Sequence, residues 1–67
     1  MPIINIKMSK PKLSKELKKE LINDITNLLN EKYNKAKERI VITIQDLEPY
    51  DIAFGGLSIE DIKKNIK

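Results

Sequence analysis

The chain contains no cysteine, no histidine and no tryptophan. Without cysteine there are no disulfides, no thiolate metal sites and no cysteine nucleophile. Without histidine, Ser-His-Asp triads, HExxH zinc sites and imidazole general bases fall away. Carboxylates are present, but no motif groups them as metal ligands, so no metal is expected. Aromatic residues amount to one Phe and two Tyr, a poor supply of stacking platforms for single-stranded nucleic acid. No apolar run approaches the roughly 18 residues of a membrane span. The opening Met1–Lys7 lacks the charged n-region and long apolar core of a signal peptide. A cytoplasmic chain without a membrane partner is expected.

What is present is a short, lysine-rich sequence of 67 residues with a formal charge of +3 and 40% hydrophobic residues. That length provides one small domain, residues 1–67. A chain this short buries only about 60% of its unfolded surface and is marginal alone. Disulfides and metals being absent, oligomerisation is the remaining source of stability. The pI of about 9.2 admits an anionic partner. The lysines alternate with acids, as in Lys15-Glu16-Leu17-Lys18-Lys19-Glu20, which is the pattern of a solvated helix face and does not favour nucleic acid.

Two alternating segments flank a helical one. In residues 2–8, Ile4, Ile6 and Met8 share one face while Ile3, Asn5 and Lys7 share the other, which is strand periodicity. Proline suits the first strand position, where no ladder donor is needed. Pro11 disfavours helix at Lys10, and Ser14 is a candidate N-cap. Leu17, Leu21, Ile25, Leu28 and Leu29 then recur at helical spacing, predicting a helix to about Tyr33. Residues 39–46 alternate again, with Ile40, Ile42 and Ile44 opposite Arg39, Val41, Thr43 and Gln45. Strand, helix, strand at these lengths predicts a right-handed β-α-β unit with parallel strands. Gly55-Gly56 predicts a tight turn, and Ser58 with Asp61 the start of a short helical turn. The fold class is α/β: a β-α-β unit plus a short C-terminal turn or hairpin. Such a unit exposes both strand edges and one sheet face. Two copies are therefore expected to join into a four-stranded sheet covered by two helices.

Pro2 carries the chemical interest. Cleavage of an initiator methionine ahead of proline leaves a secondary amine at the chain start. An α-amino group titrates near ~7.7–8.0, and apolar surroundings or nearby cations lower it. A group poised near neutrality serves as a general base or acid.

The length, the Met1-Pro2-Ile3 start on a strand, the β-α-β layout and the loop ending in Gly55-Gly56 together resemble the 4-oxalocrotonate tautomerase family over essentially the whole chain. The resemblance implies an isomerase that needs neither a metal nor an organic cofactor. Its N-terminal proline moves a proton between an enol oxygen and a carbon of an unsaturated 2-oxo acid such as 2-hydroxymuconate. Pro2 occupies that position without a shift. The resemblance also implies a homohexamer, a trimer of dimers. Family members carry an arginine in the loop after the first strand that meets a substrate carboxylate; here the nearest cation is Lys12, with one extra residue in the loop. A second family arginine falls on Val41 in a gap-free alignment from the glycine pair, and Arg39 lies two residues earlier. The family's pocket aromatic falls on Ile52, with Phe54 nearby. Pro2 is thus the expected catalytic residue, and Lys12, Arg39 and Ile52 are the expected substrate-binding residues. The rival reading is a small basic oligomer that binds nucleic acid or a protein without catalysis.

Overall fold

A computed structural model describes residues 1–65. Strand β1 spans Ile3–Ser9, helix α1 Lys15–Tyr33 and strand β2 Val41–Leu47. Strands β3, Ala53–Phe54, and β4, Leu57–Ser58, lead into helix α2, Ile59–Asn65. β1 and β2 pair in parallel, from Ile3 opposite Val41 to Ser9 opposite Leu47. α1 is the crossover between them, so the expected β-α-β unit is present. β3 and β4 form the antiparallel C-terminal hairpin.

The local causes are those the residues suggest. Ser14 caps α1 with its hydroxyl, which accepts the Leu17 N–H at 3.2 Å. Asn34 ends the helix in the left-handed region, φ 56° and ψ 40°, which asparagine tolerates better than most residues. The Lys35 N–H then closes on the Leu29 carbonyl at 3.1 Å. Gly55 and Gly56 have φ of 59° and 88°. A two-residue hairpin loop needs positive φ at both places. A Cβ at either glycine would meet nothing within 4 Å, so the requirement is one of backbone conformation and not of space.

Strand alternation decides which face meets α1. Ile4, Ile6 and Met8 of β1 and Ile42, Ile44 and Asp46 of β2 are half-buried beneath the helix, which turns Leu21, Ile25 and Leu29 inward. Ile3, Asn5, Lys7, Val41, Thr43 and Gln45 are exposed on the opposite face. There the Thr43 hydroxyl donates to Asn5 Oδ1 across the ladder. Two boundaries differ from the sequence expectation. Both strands begin later, and Arg39 lies in a 3-10 turn, Lys37–Arg39, and not in β2. Alternation alone cannot separate the two, because that turn ends where the alternation begins.

No side chain among the described residues is fully buried. The accessible surface is 5592 Å², roughly 1,200 Å² more than a compact monomer of this mass would have. The radius of gyration is 15.9 Å, against about 11 Å for a compact domain of this length. The excess comes from the shape. The hairpin and α2 pack on the 3-10 turn Pro49–Asp51 and on each other, and extend from the β-α-β unit as an arm. Phe54, Tyr50 and Leu57 on this arm are exposed, as are Ile3, Leu17 and Leu28 of the main unit. No helix of the described residues is long and apolar enough to cross a membrane.

Candidate active site

The parallel register fixes where each candidate lies. Pro2 immediately precedes β1 and is half-buried. Its carbonyl accepts the Val41 N–H at 2.9 Å, so the ladder uses the proline's oxygen and leaves its nitrogen free of ladder duty. Continuing the register back from Ile3 and Val41 puts Arg39 at the same end of the sheet. Arg39 is exposed and has no ion-pair partner among the described residues. Pro2 and Arg39 are therefore neighbours at the start of the sheet within one chain.

Lys12 and Ile52 are not. Lys12 follows the last residue of β1 by three positions, and Ile52 follows the end of β2 by five. Both lie beyond the opposite end of the sheet. At roughly 3.3 Å per residue, β1 separates the two ends by about 20 Å. Lys12 is exposed, Ile52 half-buried. Phe54 projects from the arm with 65% of its surface accessible. Val41 is also exposed, on the face away from α1.

Three polar contacts at that far end went unread in the sequence. Lys10 Nζ lies 2.7 Å from Glu48 Oε2. This pairing raises the Lys10 pKa above the ordinary lysine value, through the hydrogen bond first and the carboxylate charge second. Lys18, in the first turns of α1, pairs with Asp46 near the end of β2. Asp46 Oδ1 is buried with no hydrogen-bond partner among the described residues. Glu48 and Asp51 exchange two bonds around Pro49: the Glu48 N–H donates to Asp51 Oδ2 at 3.1 Å, and the Asp51 N–H donates to the Glu48 carbonyl at 2.9 Å. A signal existed for Asp46, which continues the apolar face of Ile42 and Ile44. An acid there needs a partner, and α1 crosses above it.

Two open grooves flank the outer side of α1, of 480 and 520 Å³. The larger includes Lys12, and neither is lined by Pro2. Among the described residues no cluster of three or more acidic side chains could hold a metal ion. The chemistry at hand is thus a proline and a guanidinium at one sheet end and ammonium groups at the other.

The comparisons agree with this architecture. The family model described as tautomerase enzyme matches residues 2–62, beginning at Pro2. A probable tautomerase of Campylobacter jejuni is 64% identical over 63 residues, covering 94% of this chain and 93% of that one. The crystal structure of DmpI from Helicobacter pylori superposes with a TM-score of 0.77 at 29% identity, covering 96% of this chain and 98% of that one. A heterohexamer 4-oxalocrotonate tautomerase of Chloroflexus aurantiacus shares the fold, with a TM-score of 0.74 at 22% identity over 92% of this chain and 98% of that one. A match that spans nearly the whole chain, on a β-α-β unit opened by a proline, makes the chain a member of the tautomerase family of isomerases.

Proposed function

We propose that this isomerase moves a proton within the enol or dienol of a 2-oxo acid such as 2-hydroxymuconate, with Pro2 as general base and acid after Met1 is removed. The observation that carries the reading is the position of Pro2, half-buried at the open start of β1. Met1 is 79% exposed, so the bond to be cut is accessible. The freed nitrogen takes the proton of the enol hydroxyl, and electron density moves along the conjugated chain. The protonated proline then returns the proton to carbon. Apolar surroundings favour the neutral amine needed for the first step. Cations at the substrate's carboxylate and developing enolate lower the barrier in a site of low dielectric. No further cofactor is needed for this cycle.

The separation of the two sheet ends supports a site shared between chains. Among the described residues the outer edge of β1 is unpaired. A second copy related by a two-fold axis would pair there antiparallel and continue the ladder into four strands. That pairing carries the partner's Lys12 loop to Pro2 while Arg39 comes from the same chain or a neighbour. Ile52 and the exposed arm would close the pocket from another copy, which fits a hexamer built as a trimer of dimers. The lysines favour this reading over nucleic-acid binding, since Lys10 and Lys18 are already neutralised by acids of their own chain.

The test is an ultraviolet assay of ketonisation on untagged protein, with 2-hydroxymuconate and phenylenolpyruvate as substrates. Turnover is expected, with Pro2→Ala losing most of it while remaining folded. A Pro2→Ala variant as active as the parent would reduce Pro2 to a strand starter.

A further inference from the structure

Lys10 and Glu48 take no part in the proton transfer proposed above, yet they form one of the two ion pairs among the described residues. The pair retains 48% and 39% side-chain exposure, and an exposed pair adds little to stability. Its backbone is nonetheless well defined. Each partner precedes a proline, Pro11 or Pro49, and that position is restricted to extended conformations. Glu48 sits at φ −79° and ψ 157°, held further by its two bonds with Asp51. Lys10 and Lys12 are two residues apart on the same loop and bear the same charge. Of these two, only Lys10 has a carboxylate at contact distance among the described residues. To bind another anion, Lys10 would have to surrender Glu48, whereas Lys12 would surrender only water.

We propose that Glu48 is a positioning residue that selects the anion-binding cation: by engaging Lys10 it leaves Lys12 as the free ammonium of the loop. The inference rests on the reading that an anionic enol is the substrate, and it specifies which group sets the preference for a second carboxylate. The pair also ties the Lys12 loop to the segment that leads through Pro49 to Ile52, so two expected binding residues are presented from one braced end.

The experiment is a double-mutant cycle of Lys12→Ala and Glu48→Gln, read as KM and kcat for 2-hydroxymuconate, a dicarboxylate, and phenylenolpyruvate, a monocarboxylate. In the parent, Lys12→Ala should raise KM for the dicarboxylate about ten- to a hundredfold, the range for losing a charge-assisted hydrogen bond. In the Glu48→Gln background the same change should raise it less than about threefold, because contacting groups do not add and Lys10 takes over. Lys10→Arg, which keeps the pair, should behave as the parent. An equal Lys12→Ala penalty in both backgrounds would overturn the proposal. So would a Lys10→Met variant as impaired as Lys12→Ala. Should Glu48→Gln fail to assemble, Glu48→Asp draws the carboxylate back by one methylene and reads the same coupling. Calorimetric binding of cis,cis-muconate, which requires no turnover, follows the cycle independently. The role of Pro2 is decided separately, by Pro2→Ala.

Discussion

The two ends of the β1–β2 sheet are built differently. At the start, Pro2 is half-buried and Arg39 stands exposed without an ion pair among the described residues. At the finish, Lys10 holds Glu48, Lys18 holds Asp46, and Glu48 and Asp51 brace each other around Pro49. One end is chemically sparse, as the proposed role of Pro2 as a neutral amine that accepts a proton requires. The other is a charged scaffold in which one loop lysine, Lys12, has no ion-pair partner among the described residues. Strand geometry holds the ends about 20 Å apart, so no motion within one chain joins them without breaking the ladder. A site that uses both must draw on two chains.

The largest effect expected at the proline end comes from blocking its nitrogen. An N-terminal extension that survives processing makes that nitrogen an amide, and kcat/KM should fall by about 10²–10⁴-fold, the worth of a general base. Intact-mass measurement confirms which species is assayed, and the active form should lack Met1. At the cation end, Lys12→Ala should cost about ten- to a hundredfold, mainly in KM for the dicarboxylate. Arg39→Ala should instead lower kcat and kcat/KM together, if its charge meets the growing enolate. Mixing Pro2→Ala with Lys12→Ala chains through mild denaturation and refolding addresses the comparison itself. Hybrid oligomers should exceed the sum of the parents, because some sites regain both parental groups. No recovery would mean that each site is complete within one chain.

Smaller effects on stability should distinguish the ends as well. Lys18→Met leaves the half-buried Asp46 carboxylate without its partner and should destabilise by about 1–3 kcal/mol. At the other end, Asn34→Val forces a β-branched residue into the left-handed region and should cost about 1–2 kcal/mol. Denaturant midpoints at fixed protein concentration check both. A larger loss at Asn34 than at Lys18 would reverse the ranking of the two ends.

Much of the fold could be read in the residues. The alternation of Ile4, Ile6 and Met8 and of Ile42 and Ile44 separated the two faces of the sheet. Ser14 marked the start of the helix and the glycine pair the hairpin turn. These succeed because strand period, capping and positive φ are local properties, fixed within a few residues. Arg39 was read into a strand because a 3-10 turn running into a strand leaves no mark on an alternating pattern. The Lys10–Glu48 and Lys18–Asp46 pairs were missed because partners 38 and 28 positions apart meet only once the crossover is closed.

The sequence alone narrowed the kind of chemistry. Without histidine and cysteine, imidazole and thiol chemistry fall away, and the resemblance carried by the Met-Pro start, the β-α-β layout and the glycine pair pointed to the N-terminal proline proposed here as the base. It also determined that a β-α-β unit of this size would leave apolar surface uncovered. Only the tertiary structure decided which groups share an end of the sheet. Parallel pairing from Ile3 opposite Val41 sets Arg39 beside Pro2 and sends Lys12 and Ile52 to the far side. Register is a property of two strands together, and no single stretch of sequence contains it.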